Sequence, residues 1–306
     1  GLLVDEVTLA FCRLTDPVGI SSGEQYEYFY KVHDRIYQAH GFPDNPWVNS
    51  VQYKTEILDR DTFSMNSGFR VEYELTILEG VITQGIELAV ERPHLYTIEV
   101  NGNPVETHPE RWYTDKGMKL APVGDYLVEG KNIISLTGRP FSVHHELAPV
   151  FVLGNFGVWP SDKGFAIGPE SPVATGSWKD FGMPFYPGEI SYTKKFTLDT
   201  TGEGYYLDAG RWKGAAATVK VNDSEEMLIW PPYKMDISEY IREGENRVSL
   251  KLIGSLKSLY GPHHNVQREG IVTPWSFKYA PENQPPGSEY DLPSYGLMSE
   301  FTIMER

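Results

Sequence analysis

Cysteine is the rarest residue here: Cys12 stands alone among 306 residues. An internal disulfide, a CxxC knuckle and a cysteine cluster are thereby excluded, and the lone thiol reads as a small buried hydrophobe. Basic charge is scarce as well, with 27 Lys and Arg against 42 Asp and Glu and a net charge of -15. That excess repels nucleic acid and anionic lipid unless a local basic stripe opposes it, and the sequence carries no such stripe. No apolar run approaches the roughly 18 residues of a membrane span. Neither nucleic acid nor a membrane is therefore an expected partner. "GLLVDEVTLAF" enters strand-like alternation at once, from a glycine and without the marks of a signal peptide. The expectation is a piece of a longer polypeptide whose targeting signal lies elsewhere.

What is present points to β-structure. The chain holds 19 Tyr, 14 Phe and 7 Trp, with 29 Gly and 22 Pro to form turns, a mix that suits short strands joined by many loops. The strongest periodicity is two. In "FRVEYELTI", Phe69, Val71, Tyr73, Leu75 and Ile77 share one face while Arg70, Glu72, Glu74 and Thr76 share the other, as in a sandwich strand with one wet side. Similar runs are "GIELAVE", "YTIEV", "EISYTKKFTL", "ATVKV" and "NRVSLKL". Only residues 24–40 read as helix, with Phe29, Val32, His33 and Ile36 at helical spacing. Strands do not alternate with helices as in a Rossmann or barrel enzyme.

The chain also repeats itself. "EGKNIISL" at 129–136 returns as "EGENRVSL" at 243–250, and "YTIEVNG" is matched by "ATVKVND". Asn101 and Asn222 lie 121 residues apart, Asn132 and Asn246 lie 114, so the register slips by seven in a connection where loops absorb insertions cheaply. Asn101-Gly102 and Asn222-Asp223 sit where hairpins need positive φ. In "DISEYIREGEN", Asp236 or Ser238 reads as the cap of one helical turn and Gly244 as its left-handed stop. Two copies predict two tandem β-sandwiches, over 1–165 and 166–306, with a boundary in the Pro-, Gly- and Ser-rich stretch 160–177.

These residues resemble the jelly-roll, galactose-binding-like modules of large glycoside hydrolases. Trp178, "YPGEISYTKKF", "VKVN" and "PPYKMDISEYIREGEN" resemble the sugar-binding β-domain of family 2 enzymes. "VERPHLYTIEVNG", "LAPVFVLGNF" and "SLYGPHH" are similar to the carboxy-terminal region of α-L-rhamnosidase-type enzymes of family 106, through nearly the whole chain. The resemblance implies all-β jelly rolls and an upstream catalytic domain that is not among these residues. It also implies a bacterial parent, secreted or periplasmic, that meets plant or host glycan.

The residues themselves announce no reaction centre. Glycoside hydrolysis needs two carboxylates across the scissile bond, and the adjacent acids Glu225-Glu226, Glu24 with Glu27, and Asp59 with Asp61 read as solvated charge. His144-His145 and His263-His264 recur after the repeated strand, but neighbours on a strand face opposite ways and cannot chelate one ion together. Structural hydrogen bonding or a polar contact to sugar or another domain accounts for them better. No cofactor is expected; a structural Ca²⁺ follows from the resemblance alone, since no Asp-rich loop marks a site.

Sugar sites join an exposed aromatic platform to polar side chains. In the second half Trp178, Trp212, Trp230, Tyr233 and Trp275 lie beside loop signals, with Asp180, Arg211, His263, His264 and Asn265 as polar partners. They form the candidate carbohydrate-binding set, although each Trp taken alone fits better as core or interface filler. The expected function is a noncatalytic accessory region of a glycoside hydrolase that binds carbohydrate weakly. The alternatives are sandwiches that only brace a catalytic domain, or a glycosidase in its own right.

Overall fold

The computed structural model describes residues 5–15, 23, 25–264 and 272–306. The chain divides into two compact units, Gly1–Glu170 with Pro262–Asp291, and Ser171–Gly261 with Leu292–Arg306. Both are built of antiparallel β-sheet, so the protein is all-β. No helix among the described residues is long and apolar enough to cross a membrane.

In the first unit one sheet runs β1 (Asp5–Leu9), β11 (Val150–Gly154), β5 (Glu87–Glu91), β9 (Asp115–Pro122), β8 (Trp112–Tyr113). The other runs β12 (Gly157–Pro160), β13 (Phe165–Gly168), β4 (Phe69–Ile77), β10 (Gly130–Gly138), β6 (Thr97–Val100), β7 (Asn103–Val105), with β2 (Phe11–Thr15) against β4 and β3 (Glu27–Tyr28) against β2. Burial along β4 alternates as its sequence requires: Phe69, Val71, Tyr73, Leu75 and Ile77 are in the core, the polar residues between them only half-buried. Cys12 is fully buried. The helix expected over 24–40 is α1 (Phe29–Ala39), which buries Val32, His33, Ile36 and Tyr37. It begins late because Glu27 and Tyr28 pair as strand with Cys12 and Phe11. Elsewhere among the described residues, helix is confined to single turns, such as α2 (Pro46–Asn49) and α3 (Tyr53–Glu56), and to 3-10 segments.

The second unit reproduces the centre of the first. β20 (Gly244–Ile253) lies between β14 (Glu189–Leu198) and β17 (Ala216–Val221), with β18 (Met227–Leu228) beyond, as β10 lies between β4 and β6 with β7 beyond. The registers correspond: Ile134 faces Val100 and Leu136 faces Ile98, while Val248 faces Val221 and Leu250 faces Val219. Opposite stand β19 (Lys234–Asp236), β15 (Tyr205–Asp208) and β22 (Thr302–Glu305), and a short pair, β16 (Trp212–Lys213) with β21 (Gly296–Leu297). Leu207, Val219, Val221, Val248, Leu250 and Leu252 are fully enclosed between the sheets. The turn differs from the expected one: the 3-10 segment Ser238–Tyr240 has Ile237 at its N-cap with no side-chain cap and ends at Ile241, while Asp236 accepts from the Ser238 amide at 3.0 Å and Gly244, at φ +84°, opens β20.

Two expectations about organisation need correction. Residues 160–168 are not linker: β13 pairs with β12, Ile167 opposite Val158, and lies parallel to β4. Four residues after a tight turn are too few for alternation to show. Nor are the units the continuous stretches 1–165 and 166–306, because residues 262–291 return to the first unit. That return depends on contacts distant in sequence, to which a local pattern is blind.

Candidate functional site

The second unit keeps an aromatic corner at the ends of β15, β16 and β19. Gly210, at φ +66°, turns the chain from β15 into β16, and the Arg211 carbonyl accepts the amides of Met298 at 2.7 Å and Ser299 at 3.0 Å. Trp212 follows with its ring edge-on to Tyr233, centroids 5.1 Å apart. Its indole N–H is buried and makes no hydrogen bond with the described residues. Tyr233 occupies the left-handed region at φ +61°, uncommon for a bulky residue. It is fixed there by its amide on Trp230 O at 2.7 Å and by its carbonyl, which accepts from Ala209 at 3.0 Å. The turn so formed carries Trp230, which is 70% exposed. Beside it Asp208 accepts from the Gly210 amide at 3.0 Å and pairs with Lys234 at 3.1 Å. The amide, with Lys234 behind it, lowers the Asp208 pKa.

The structure brings only part of the expected set together. Trp212, Trp230 and Tyr233 share the corner, and Arg211 exposes its side chain next to them. Trp178 is no platform: it is 1% exposed, in the core, its Nε1 donating to Tyr192 Oη at 2.9 Å. Asp180, on the 3-10 turn that Trp178 begins, is exposed. His263 and His264 belong to the first unit rather than the second. His263 is buried against the Tyr290 ring at 6.1 Å, and His264 bonds to Ser276 O at 3.0 Å and meets Tyr28 edge-on at 5.2 Å. Trp275 lies in a 3-10 segment of the first unit, its side chain outside the described residues, as is Asn265. Sequence reasoning missed Asp208 and Lys234, which gave no signal beyond an ordinary surface pair.

The acidic neighbours have structural roles. Asp61 accepts from Ser142 Oγ and from the Val143 amide, both at 3.0 Å. Glu226 pairs with Lys251 at 2.7 Å. Glu27 is not solvated: it is 5% exposed and paired to Arg35 at 2.8 Å, because it sits on β3 rather than on the helix. Glu24 lies outside the described residues. Among the described residues no three His, Cys, Asp or Glu side chains gather as they would to hold a metal ion.

No protein-family model matches the chain, and no curated protein sequence matches it. Solved structures do. A rhamnosidase from Novosphingobium sp. PP1Y is 18% identical over 78% of this chain and 23% of its own, with a TM-score of 0.30. An α-L-rhamnosidase from Streptomyces avermitilis, complexed with L-rhamnose, is 14% identical over 66% of this chain and 24% of its own, TM-score 0.26. A β-glucuronidase from Ruminococcus gnavus is 13% identical over 83% of this chain and 39% of its own, TM-score 0.31. The chain thus spans less than half the length of each. The likeness is one of fold, and no residue role is carried over from it.

Proposed function

We propose that this chain is a noncatalytic accessory region of a glycoside hydrolase and that its second unit binds carbohydrate weakly through the Trp230 corner. The observation that carries this reading is Trp230 itself, a 70% exposed indole on a turn fixed by backbone hydrogen bonds. Leaving so large an apolar surface in water has a cost that a sugar's C–H face would relieve. Arg211, exposed just before β16, and the Asp208–Lys234 pair of the same corner supply polar groups for hydroxyl edges. One platform contributes on the order of 1 kcal/mol, so even millimolar affinity, about 4 kcal/mol, draws on the polar groups as well. In this reading the partners are plant or host glycan and a catalytic domain of the same polypeptide, from a secreted or periplasmic bacterial enzyme.

Calorimetry of the full chain with oligosaccharides tests it: weak binding that Trp230→Ala abolishes without lowering Tm supports the proposal, and binding indifferent to that substitution sinks it. A bracing role is the second reading. It is favoured by apolar side chains that the first unit exposes, Val51 at 82%, Ile82 at 77% and Met65 at 75%.

A further inference from the structure

The first unit has a pocket of its own, about 300 Å³, between α2, the end of β5 and the loop after β10. Three histidines line it, His33, His144 and His145, and hydrogen bonds hold the two buried ones, His33 and His145. Leu95 O can only accept, so His145 Nε2, 3.0 Å away, carries a proton, while Nδ1 meets both the Ser142 amide at 2.9 Å and the Ser142 carbonyl at 3.0 Å. His33 repeats the arrangement, donating from Nε2 to His145 O at 3.1 Å and facing Asn45 Nδ2 with Nδ1 at 3.4 Å. Burial lowers both pKa values and so favours the neutral rings. Such a wall is rigid before any ligand arrives.

The open side of the pocket is differently made. Trp47 is 38% exposed, yet its indole is locked: Nε1 donates to Val143 O at 2.7 Å, and the ring stacks on Tyr53 at 5.9 Å. Arg92 adopts φ +43°, ψ +52°, a left-handed conformation unusual for so large a residue and of the kind that concentrates at ligand sites. Its guanidinium lies 3.7 Å from the Glu146 carboxylate and 3.9 Å from that of Glu91, an ionic approach too long for saturated hydrogen bonds. A charged donor and a charged acceptor thus stand beside a fixed aromatic ring, each with hydrogen-bonding capacity left.

We infer that this pocket binds a single neutral sugar ring, independently of the Trp230 corner. Vicinal hydroxyls both accept, as from Arg92, and donate, as to Glu146, while the C–H face suits Trp47. The volume lies at the small end of ligand pockets, room for one ring rather than a chain. The surroundings disfavour an acidic sugar: Glu146 lines the pocket, and Glu91 and Asp61 lie against the lining residues Arg92 and His144 at 3.9 Å each.

Saturation-transfer NMR on the full chain, titrated with methyl glycosides of galactose, glucose, mannose and rhamnose and with glucuronate, tests the assignment. At least one neutral glycoside is expected to bind with Kd of about 1–10 mM. Arg92→Asn, which keeps a residue tolerant of positive φ, and Glu146→Gln are each expected to weaken it about tenfold with Tm unchanged. Trp230→Ala is expected to leave it intact. Absence of binding by every neutral glycoside at about 50 mM, well above that Kd, overturns the inference, as does binding indifferent to both polar variants. Tighter binding of glucuronate overturns it too, and loss of all binding on Trp230→Ala moves the ligand to the other unit.

Discussion

Asn222 donates from Nδ2 to Oδ1 of the fully buried Asn246 at 2.9 Å, and in the first unit Asn101 does the same to Asn132 at 2.8 Å. Each hairpin asparagine has a left-handed φ, +49° and +50°. The buried partner then closes the turn before its own strand: Asn246 bonds to the Arg242 amide at 3.0 Å and its carbonyl at 2.6 Å, as Asn132 does with Val128 at 2.8 and 2.7 Å. The repeated phrase is therefore a clamp joining hairpin, turn and closing strand. Asn246→Ala strands several buried backbone groups and should cost roughly 2–4 kcal/mol. Asn222→Gly keeps the backbone conformation and should cost less. Urea denaturation of both and of the double variant checks this, and non-additivity is expected because the two share one network.

The tryptophans of the second unit should separate cleanly. Trp178→Ala empties a core site and breaks the bond to Tyr192, a loss of about 3–5 kcal/mol. Trp230→Ala should change stability by less than about 0.5 kcal/mol. Trp212→Phe is the informative case, since shrinking the ring loses packing but removes a buried donor that has no acceptor. Near-neutrality, within about 1 kcal/mol, is expected there. Thermal unfolding of the three variants provides the comparison.

The stability of the first unit should fall in both directions of pH, as Glu6 ionises at higher pH and as buried histidines protonate at lower pH. Glu6 is buried on β1, one oxygen accepting from Tyr113 at 2.8 Å, and desolvation pushes its pKa from 4.5 up to about 8. A carboxyl so raised stabilises the fold fully below 4.5, and that contribution is lost as pH rises toward 8. His33 acts oppositely. Burial lowers it from 6.5 to about 4, so its contribution is present above 6.5 and lost as pH falls. Between 4.5 and 6.5 the two slopes oppose each other, with the lowered His40, His145 and His264 on the side of His33 and the raised Asp34 and Glu91 on the side of Glu6. Glu6→Gln should flatten the alkaline limb and raise Tm at pH 8 more than at pH 5. An unchanged alkaline limb in that variant would refute the assignment.

The strands were legible in the sequence because one of their faces is wet, as on β4 and β14, where polar and apolar residues alternate. β5 was less so, since Ala89 between Leu88 and Val90 is buried too and both faces are covered. The candidate site was legible only in part. Trp178 and Trp230 both follow loop signals, and nothing local tells which indole turns inward. That is decided by Tyr192, Tyr186 and Tyr295, whose rings or hydroxyls enclose Trp178. His263-His264 matched His144-His145 as a motif, yet both pairs lie in the first unit. Only long-range packing assigns them, and the left-handed Arg92 has no sequence signature at all.

Proteolysis should expose the discontinuity of the first unit. Lys163 is exposed but sits in the β12–β13 turn, where Gly164 donates to Pro285 O at 2.8 Å and accepts from Ser161 at 2.9 Å. A protease must open that backbone to cut it, so trypsin should spare the site. Glu170, by contrast, is exposed at the end of the first unit's continuous stretch, and a glutamate-specific protease should cut after it. The carboxy-terminal product would still contain residues 262–291, which pack with the first unit. The nicked protein should therefore elute as one species in size-exclusion chromatography and separate only in denaturant. Separation without denaturant would mean that the 262–291 segment does not hold to the first unit.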